Sequence, residues 1–369
     1  MIRVLEVLAT LRRAGAERVA VELACGLDRG RFEAAVVSLY DACEGGFEAE
    51  LAARGVPVWH LGKRRGMDPR MWGRLAGVLR RFRPCIIHTH SYVLRYAWPA
   101  RWLARHGRLV HTVHNLAVRE VDLPGRLIHR AAYGLGVASV AISAEVARSF
   151  RQAYGREPDA IIYNGAAAGQ GFREDARERW RRAHGFRSTD LLIVSLARFE
   201  PQKNPLGLLE AFAAALAELP DAYLVMAGEG SLLGECQRRA RQYGIADRAV
   251  FLGLCRETTD LLSACDMFAL ASHWEGMPVA VIEAMAARLP AVVTSAGGLP
   301  EVVEDGVSGV LVPPGDMQAL SRALVELGRN PERRRQMGEQ ARRRALQFDV
   351  RKMVESYARL FERLCGGAR

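Results

Sequence analysis

The residues best placed to do chemistry lie in one stretch, Ser272-His273-Trp274-Glu275-Gly276-Met277-Pro278-Val279-Ala280-Val281-Ile282-Glu283. Pro278 suits a first helical turn, which leaves Glu275 in a loop and sets Glu283 on the helix behind it. An ionised carboxylate has two acceptor oxygens and can bridge adjacent hydroxyls of a sugar, each charged bond contributing about 1.5–3 kcal/mol. Taken alone, the pair reads equally as a loop acid and a helix acid in solvent. A second stretch, Val194-Ser195-Leu196-Ala197-Arg198-Phe199-Glu200-Pro201-Gln202-Lys203-Asn204-Pro205, sets Arg198 and Lys203 beside a helix start, where free N–H groups already favour phosphate. A diphosphate would be held there; two solvated cations are the plainer reading. Gly297-Gly298 in Thr294-Ser295-Ala296-Gly297-Gly298-Leu299-Pro300-Glu301 would let backbone approach a ligand, or simply make a turn. Gly15 opens a helix that could face a phosphate. His114, at the end of His111-Thr112-Val113-His114-Asn115, could serve a polar substrate, stabilise a developing charge, or be hydrogen-bonded structure.

Other chemistries lack their residues. The sequence has no Asp-x-Asp, no His-Glu-x-x-His and no P-loop, so no metal site is expected. Gly228-Glu229-Gly230-Ser231-Leu232-Leu233-Gly234 approaches a dinucleotide fingerprint but has one residue too many before its third glycine. The 7 cysteines form no C-x-x-C pair and suit reduced thiols.

The elements that must position these side chains alternate between short apolar runs and amphipathic helical windows, the pattern of parallel sheets covered by helices. The class is α/β. Strands are predicted near Ile2–Leu8, Ala34–Leu39, Val56–Leu61, Cys85–His88, Leu109–Val113, Val137–Ile142 and Ala160–Tyr163. The small-residue stretch from Asn164 to Gly171 then reads as a linker. A second winding follows, with strands near Leu191–Leu196, Tyr223–Met226, Ala249–Leu252, Met267–Leu270, Ala291–Thr294 and Val310–Val312, and the remainder is helical. Two doubly wound sheets should face a cleft, with ligands beyond the carboxyl ends of the strands.

With 369 residues, 50% hydrophobic and 25% charged, the chain has the size of two domains and the composition of a folded protein. Its net charge of +11 is lopsided: residues 1–169 hold 25 Lys/Arg against 15 Asp/Glu, residues 170–369 hold 27 against 26. No apolar run reaches the roughly 18–20 residues of a membrane span, and a strand-like run follows Met1, so a cytoplasmic protein is expected.

At this point the residues resemble a known family. Arg198, Lys203, Glu275-x7-Glu283 and Gly297-Gly298-x-Pro300-Glu301-Val302-Val303, followed by Asp305-Gly306-x-x-Gly309 and Pro313-Pro314, are similar to the glycosyltransferase family 4 enzymes of GT-B fold, retaining transferases that use nucleotide sugars. Gly15-Ala16-Glu17-Arg18, Pro84-Cys85-Ile86-Ile87-His88-Thr89-His90 and Ile162-Tyr163-Asn164-Gly165 extend the resemblance over nearly the whole chain. It implies an N-terminal acceptor-side domain (1–167), a C-terminal nucleotide-sugar domain (168–349), and a final helix (350–369) returning to the first. Glu283 would hold the ribose hydroxyls and Glu275 the donor sugar, while Arg198 and Lys203 would neutralise the departing diphosphate. Gly15 would donate backbone to that phosphate; Gly276, Met277, Pro278, Gly298 and Leu299 would line the donor; Gly253 and Leu254 would line its base; His114 would touch a far sugar hydroxyl. Ala14 stands where the family usually has a glycine, and Ala166-Ala167 where it often has Val-Asp.

The implied function is sugar transfer from a nucleotide sugar, with UDP the expected nucleotide, to a glycan or lipid-linked acceptor in envelope or exopolysaccharide synthesis, without a metal or other cofactor. A nucleotide-sugar epimerase and a non-catalytic nucleotide-sugar-binding protein are the alternatives. The basic first half suggests an anionic membrane partner, particularly through Lys63-Arg64-Arg65 and the helical window Pro69–Phe82, whose Met71, Trp72, Leu75, Val78, Leu79 and Phe82 suit either an interfacial helix or a core one. No aromatic-basic module accompanies the charge, so nucleic acid is not expected.

Overall fold

The computed structural model describes residues 1–168, 172–255 and 257–366; Gly169, Gln170 and Gly171 of the expected linker, and the last three residues of the expected third segment, lie outside them. The chain divides into two compact units, Met1–Asn164 with Val350–Arg369, and Gly165–Asp349.

The first unit is wound on β1 (Ile2–Leu8), β2 (Phe32–Ser38), β3 (Val58–His60), β4 (Ile86–His90), β5 (Arg108–Val113), β6 (Ala138–Ala141) and β7 (Ala160–Ile161), in the order β3-β2-β1-β4-β5-β6-β7. Every recorded pairing is parallel. Val4, Leu5, Val7 and Leu8 are all buried, as expected of a strand covered by helices on both faces. The edge strands β3 and β7 are shorter than their apolar runs suggested, because each has a ladder on one side only. β4 instead runs past its expected end at His88, since the ladder to β5 continues to His90 opposite Thr112. That extension places His90 inside the sheet along with His88.

The window from Pro69 forms the helix Arg70–Phe82, and its Met71, Leu75, Ala76 and Leu79 are buried, so the apolar stripe is core. Of the basic residues expected there, Arg64, Arg65, Arg70 and Arg74 are exposed and Lys63 is not. Lys63 is buried, donating to Tyr40 Oη at 3.0 Å and to two backbone carbonyls. Arg70 pairs with Asp68 at 2.7 Å and Arg74 donates to the carbonyl of Leu61. The final helix, Val350–Gly366, belongs to this unit: it buries Met353, Val354, Tyr357, Leu360 and Phe361, and Tyr357 Oη lies 2.8 Å from Thr112 Oγ1 on β5.

The second unit is wound on β8 (Leu191–Leu196), β9 (Ala222–Ala227), β10 (Ala249–Gly253), β11 (Met267–Leu270), β12 (Ala291–Thr294) and β13 (Gly309–Val312), parallel, in the order β10-β9-β8-β11-β12-β13. Its core packs Leu191, Ile193, Leu224 and Met226 of the sheet against Leu208, Phe212, Leu320 and Leu324. In both sheets the winding reverses beside the first strand, between β1 and β4 and between β8 and β11. Ligand sites in open α/β sheets lie outside the carboxyl ends of strands at such a reversal.

Candidate active site

Two loops leave the second sheet at its reversal, one after β8 and one after β11. After β8 the chain makes a single 3-10 turn, Pro201–Lys203, and then Asn204 takes a left-handed conformation (φ 48°) and caps the helix Pro205–Leu216 through the Gly207 amide, 3.1 Å away. This turn is bonded to the other loop twice: the His273 amide donates to the Gln202 carbonyl (2.9 Å), and Gln202 Nε2 donates to the Trp274 carbonyl (3.0 Å). Lys203 Nζ is thereby brought to Glu275, 2.6 Å from Oε1 and 2.8 Å from Oε2. Ser272 Oγ donates to the same Oε1 at 2.6 Å. Glu275 is therefore a buried, paired carboxylate and not a solvated loop acid.

The third wall comes from the loop after β12. Thr294 Oγ1 donates to the Ser272 carbonyl at 2.6 Å, and Gly297 (φ 57°) packs so closely that an added Cβ would stand 1.8 Å from the Glu275 carbonyl oxygen. Only glycine fits there. Gly298 is buried behind it and precedes the short helix Leu299–Val302. Gly276, Met277 and Pro278 are buried, with Pro278 at the N-cap of the helix Val279–Ala286 and not inside its first turn; Glu283 is half-buried on that helix. Arg198 is exposed, and its guanidinium has no partner among the described residues. Gly253 ends β10 and Leu254 beyond it is exposed.

Two of the glycines that approached a dinucleotide fingerprint, Gly228 and Gly230, serve packing. Gly228 (φ 147°) lies where a Cβ would be 2.1 Å from the Ala197 carbonyl oxygen, and the Phe199 amide donates to the Glu229 carbonyl at 2.9 Å. These bonds fix the loop that carries Arg198.

In the first unit Gly15 is the exposed first residue of the helix Gly15–Gly26, with open space around its Cα. His114, half-buried after β5, is held from two directions: its amide donates to Glu120 Oε1 (2.8 Å), and its Nε2 lies 2.7 Å from His90 Nδ1. Behind His90 is a cluster that the sequence reading did not assemble. His90 Nε2 lies 2.7 Å from Glu6 Oε2, and His88 Nδ1 lies 2.9 Å from the same oxygen. His88 Nε2 meets Thr112 Oγ1 at 2.7 Å. Burial pushes His88, His90 and His114 down to about 3, so all three imidazoles are neutral at neutral pH. Burial raises Glu6, opposed by its bond and charge interaction with His90. Glu120 is pushed up to about 8 by burial.

Glu6, His88 and His90 offer three ligand atoms within 4.8 Å of one another. Ligands spaced around a tetrahedral zinc at about 2.0–2.2 Å would stand roughly 3.3 Å apart. The oxygen-to-nitrogen separations of 2.7 and 2.9 Å are those of hydrogen bonds, and the cluster is closed on itself. Its signal in the sequence is a glutamate within the apolar strand Ile2–Leu8 and a His-x-His alternation, which puts both rings on one face of a strand.

Comparison with known proteins gives the family and the fold. The model for glycosyltransferase family 4 matches residues 13–168, and that for glycosyl transferases group 1 matches residues 176–344. The chain belongs to glycosyltransferase family 4. Within the family, the putative glycosyltransferase EpsD of Bacillus subtilis is 34% identical over 185 residues, so the match spans 50% of this chain and 49% of that protein's length. The UDP-Gal:alpha-D-GlcNAc-diphosphoundecaprenol alpha-1,3-galactosyltransferase of Escherichia coli is 30% identical over 146 residues, 39% of this chain and 38% of that one. The crystal structure of Anabaena HepE in complex with UDP and glucose superposes with a TM-score of 0.87 over 98% of this chain and 99% of that one at 23% identity, which establishes the shared GT-B fold. The paired Lys203 and Glu275 of this family 4 chain stand at its second sheet's reversal.

Proposed function

We propose that the protein is a retaining glycosyltransferase that moves a sugar from a nucleotide diphosphate sugar to a glycan or lipid-linked acceptor. The observation carrying this reading is the Lys203–Glu275 pair at the reversal of the second sheet, with the unpartnered Arg198 on the adjoining loop. Glu275 Oε1 is engaged by Ser272 and Lys203 and Oε2 by Lys203, so Oε2 keeps one acceptor site for a sugar hydroxyl. Arg198 and Lys203 supply charge for a diphosphate, Glu283 reaches the ribose, and Gly253 and Leu254 line the base. HepE was crystallised with UDP, and we propose uridine here as well.

Retention follows from front-face displacement. The bond from the anomeric carbon to the phosphate oxygen breaks as the bond to the acceptor oxygen forms on the same face, and the acceptor's proton passes to the leaving phosphate. Arg198 and Lys203 stabilise the charge that develops there, so catalysis rests on positioning and preorganised electrostatics. These two cations replace a divalent ion in the scheme, which makes the reaction metal-independent.

The acceptor class is supported by the lipid-linked acceptor in the name of the Escherichia coli relative. A cytoplasmic enzyme docked on the inner membrane face fits it. The first unit carries the excess charge, and it exposes Trp102, Leu103, Leu123, Leu127 and Leu135 alongside Arg105 and Arg130. No helix among the described residues is long and apolar enough to cross a membrane. The test is a panel of nucleotide sugars with and without lipid-linked glycan, with the product's anomeric configuration read by NMR. An α-linked product from an α-donor supports the reading. An inverted product, a free monosaccharide without acceptor, or binding without turnover refutes it, the last two in favour of an epimerase or a binding protein.

A further inference from the structure

The buried groups behind His114 form one unbroken hydrogen-bonded line, Tyr357–Thr112–His88–Glu6–His90–His114, with links of 2.7–3.1 Å. A neutral imidazole carries one N–H and one bare nitrogen, so fixing the proton at one point of such a line fixes it at every other. Glu6 bridges the two imidazoles: His90 Nε2 lies 2.7 Å from Oε2, and His88 Nδ1 bonds Oε1 at 3.1 Å while lying 2.9 Å from Oε2, so both rings converge on a group that, as a carboxylate, only accepts. Both imidazoles then donate to Glu6. On the His88 side this leaves Nε2 bare, and Thr112 donates to it while accepting from Tyr357. On the other side it leaves His90 Nδ1 bare, and the only proton available for the 2.7 Å contact is on His114 Nε2.

We propose that Glu6 and His90 are positioning residues that hold His114 in its Nε2–H tautomer, so that Nδ1 faces the substrate as an acceptor and selects a hydroxyl there. His114 Nδ1 has no protein partner among the described residues, and the ring is half-buried. The Glu120 bond to the His114 amide fixes the backbone from which the ring projects. In this state His114 cannot donate to an oxyanion, which removes its reading as a stabiliser of developing negative charge. A carboxylate or phosphate placed against Nδ1 would set acceptor against acceptor. The substrate part rests on the proposed transferase function; the tautomer does not.

The test begins with the full-length protein, histidine-labelled with nitrogen-15 and without donor. Long-range proton–nitrogen spectra and the coupling across the hydrogen bond from His114 Nε2 to His90 Nδ1 identify which nitrogen carries the proton; spectra of His114→Gln and His90→Gln assign the signals. A proton on His114 Nε2, with the coupling present, is expected. A proton on His114 Nδ1, or no coupling, overturns the proposal, whether or not any nucleotide sugar is turned over. With an active donor in hand, Glu6→Gln should lower kcat at least about tenfold, the kind of loss seen when an imidazole is held in the wrong tautomer, with little change in the KM for the nucleotide sugar. A folded Glu6→Gln protein with unchanged kcat overturns the positioning role. Finally, UDP-glucose and UDP-glucuronate are compared as ligands of the wild-type protein: weaker binding of the uronate, and loss of that preference in His114→Gln, is expected, and equal binding of both overturns the selection of a hydroxyl. Failure to turn over any nucleotide sugar refutes the transferase reading alone.

Discussion

Replacing Lys203 by alanine should destabilise the second unit before any question of catalysis arises. The side chain of Glu275 is 4% exposed and that of Lys203 16%, and Nζ contacts both carboxylate oxygens at 2.6 and 2.8 Å. In Lys203→Ala the carboxylate stays buried with the Ser272 hydroxyl as its remaining recorded side-chain partner. Breaking a buried pair from one side costs about 3–5 kcal/mol, and the partial exposure of Lys203 puts this case near 3 kcal/mol. Glu275→Gln keeps an acceptor for Ser272 and leaves a lysine that can turn towards water, at about 1–2 kcal/mol. In Lys203→Ala/Glu275→Ala no charge is stranded, so the double variant should be about 2 kcal/mol more stable than the sum of the two alanine losses predicts. Urea unfolding, read from the transition of the unit that carries the pair, measures each corner of this cycle. Additive losses, or a Lys203→Ala cost below about 0.5 kcal/mol, would refute the claim that the pair holds the two loops together.

Arg198 makes the contrast: Arg198→Ala should leave Tm nearly unchanged while kcat/KM falls by roughly 10²–10³, a loss typical of one removed transition-state donor, measured by donor kinetics on the folded variant. Gly297→Ala should lower Tm strongly and abolish transfer, because its Cβ would meet the Glu275 carbonyl at 1.8 Å, whereas Gly15→Ala, with open space around it, should change Tm little in the same melting assay. Transfer should persist in EDTA; complete loss restored by Mg²⁺ or Mn²⁺ would place the neutralising charge on a metal and not on Arg198 and Lys203. Sedimentation with anionic vesicles should fall with salt and fall further in Leu123→Asp/Leu127→Asp, with donor turnover preserved; equal binding to neutral vesicles would remove the electrostatic part of the docking.

Much of this was readable in the sequence because parallel sheets advertise themselves. Leu191–Leu196, Met267–Leu270 and Ala291–Thr294 are uninterrupted apolar runs, and their ends fall where the runs stop. Arg198, Lys203 and Glu275 were found as strand-end residues. What was not readable was that Lys203 and Glu275, separated by 72 positions, bond to each other, because that depends on β8 and β11 being neighbours in the sheet. The same limit hid the histidine cluster. Glu6 lies opposite His88 in the ladder between β1 and β4, yet the two are 82 positions apart, and its adjacent residues in the strand, Leu5 and Val7, are apolar and do not account for it. The apolar stripe of Arg70–Phe82 showed the opposite difficulty: its period gave the helix, but whether the stripe faced a sheet or a membrane depended on packing that the sequence does not display.

The two sheets share a winding, and each places its distinctive polar groups at the reversal, but they solve different electrostatic problems. In the second unit the groups are a partly exposed cation and a buried carboxylate that it pairs with, so Lys203 keeps an open side through which a ligand's negative charge can reach it while the pair stays formed. In the first unit Glu6 and His88 are fully buried and His90 nearly so, and none can exchange its partner for water. Such a network is stable only when every donor meets an acceptor, which leaves it very few proton arrangements. Rigidity of that kind is poorly suited to neutralising a diphosphate and well suited to fixing which nitrogen of His114 is bare. In the proposed mechanism the charge for the leaving group is accordingly assigned to Arg198 and Lys203 and not to these histidines.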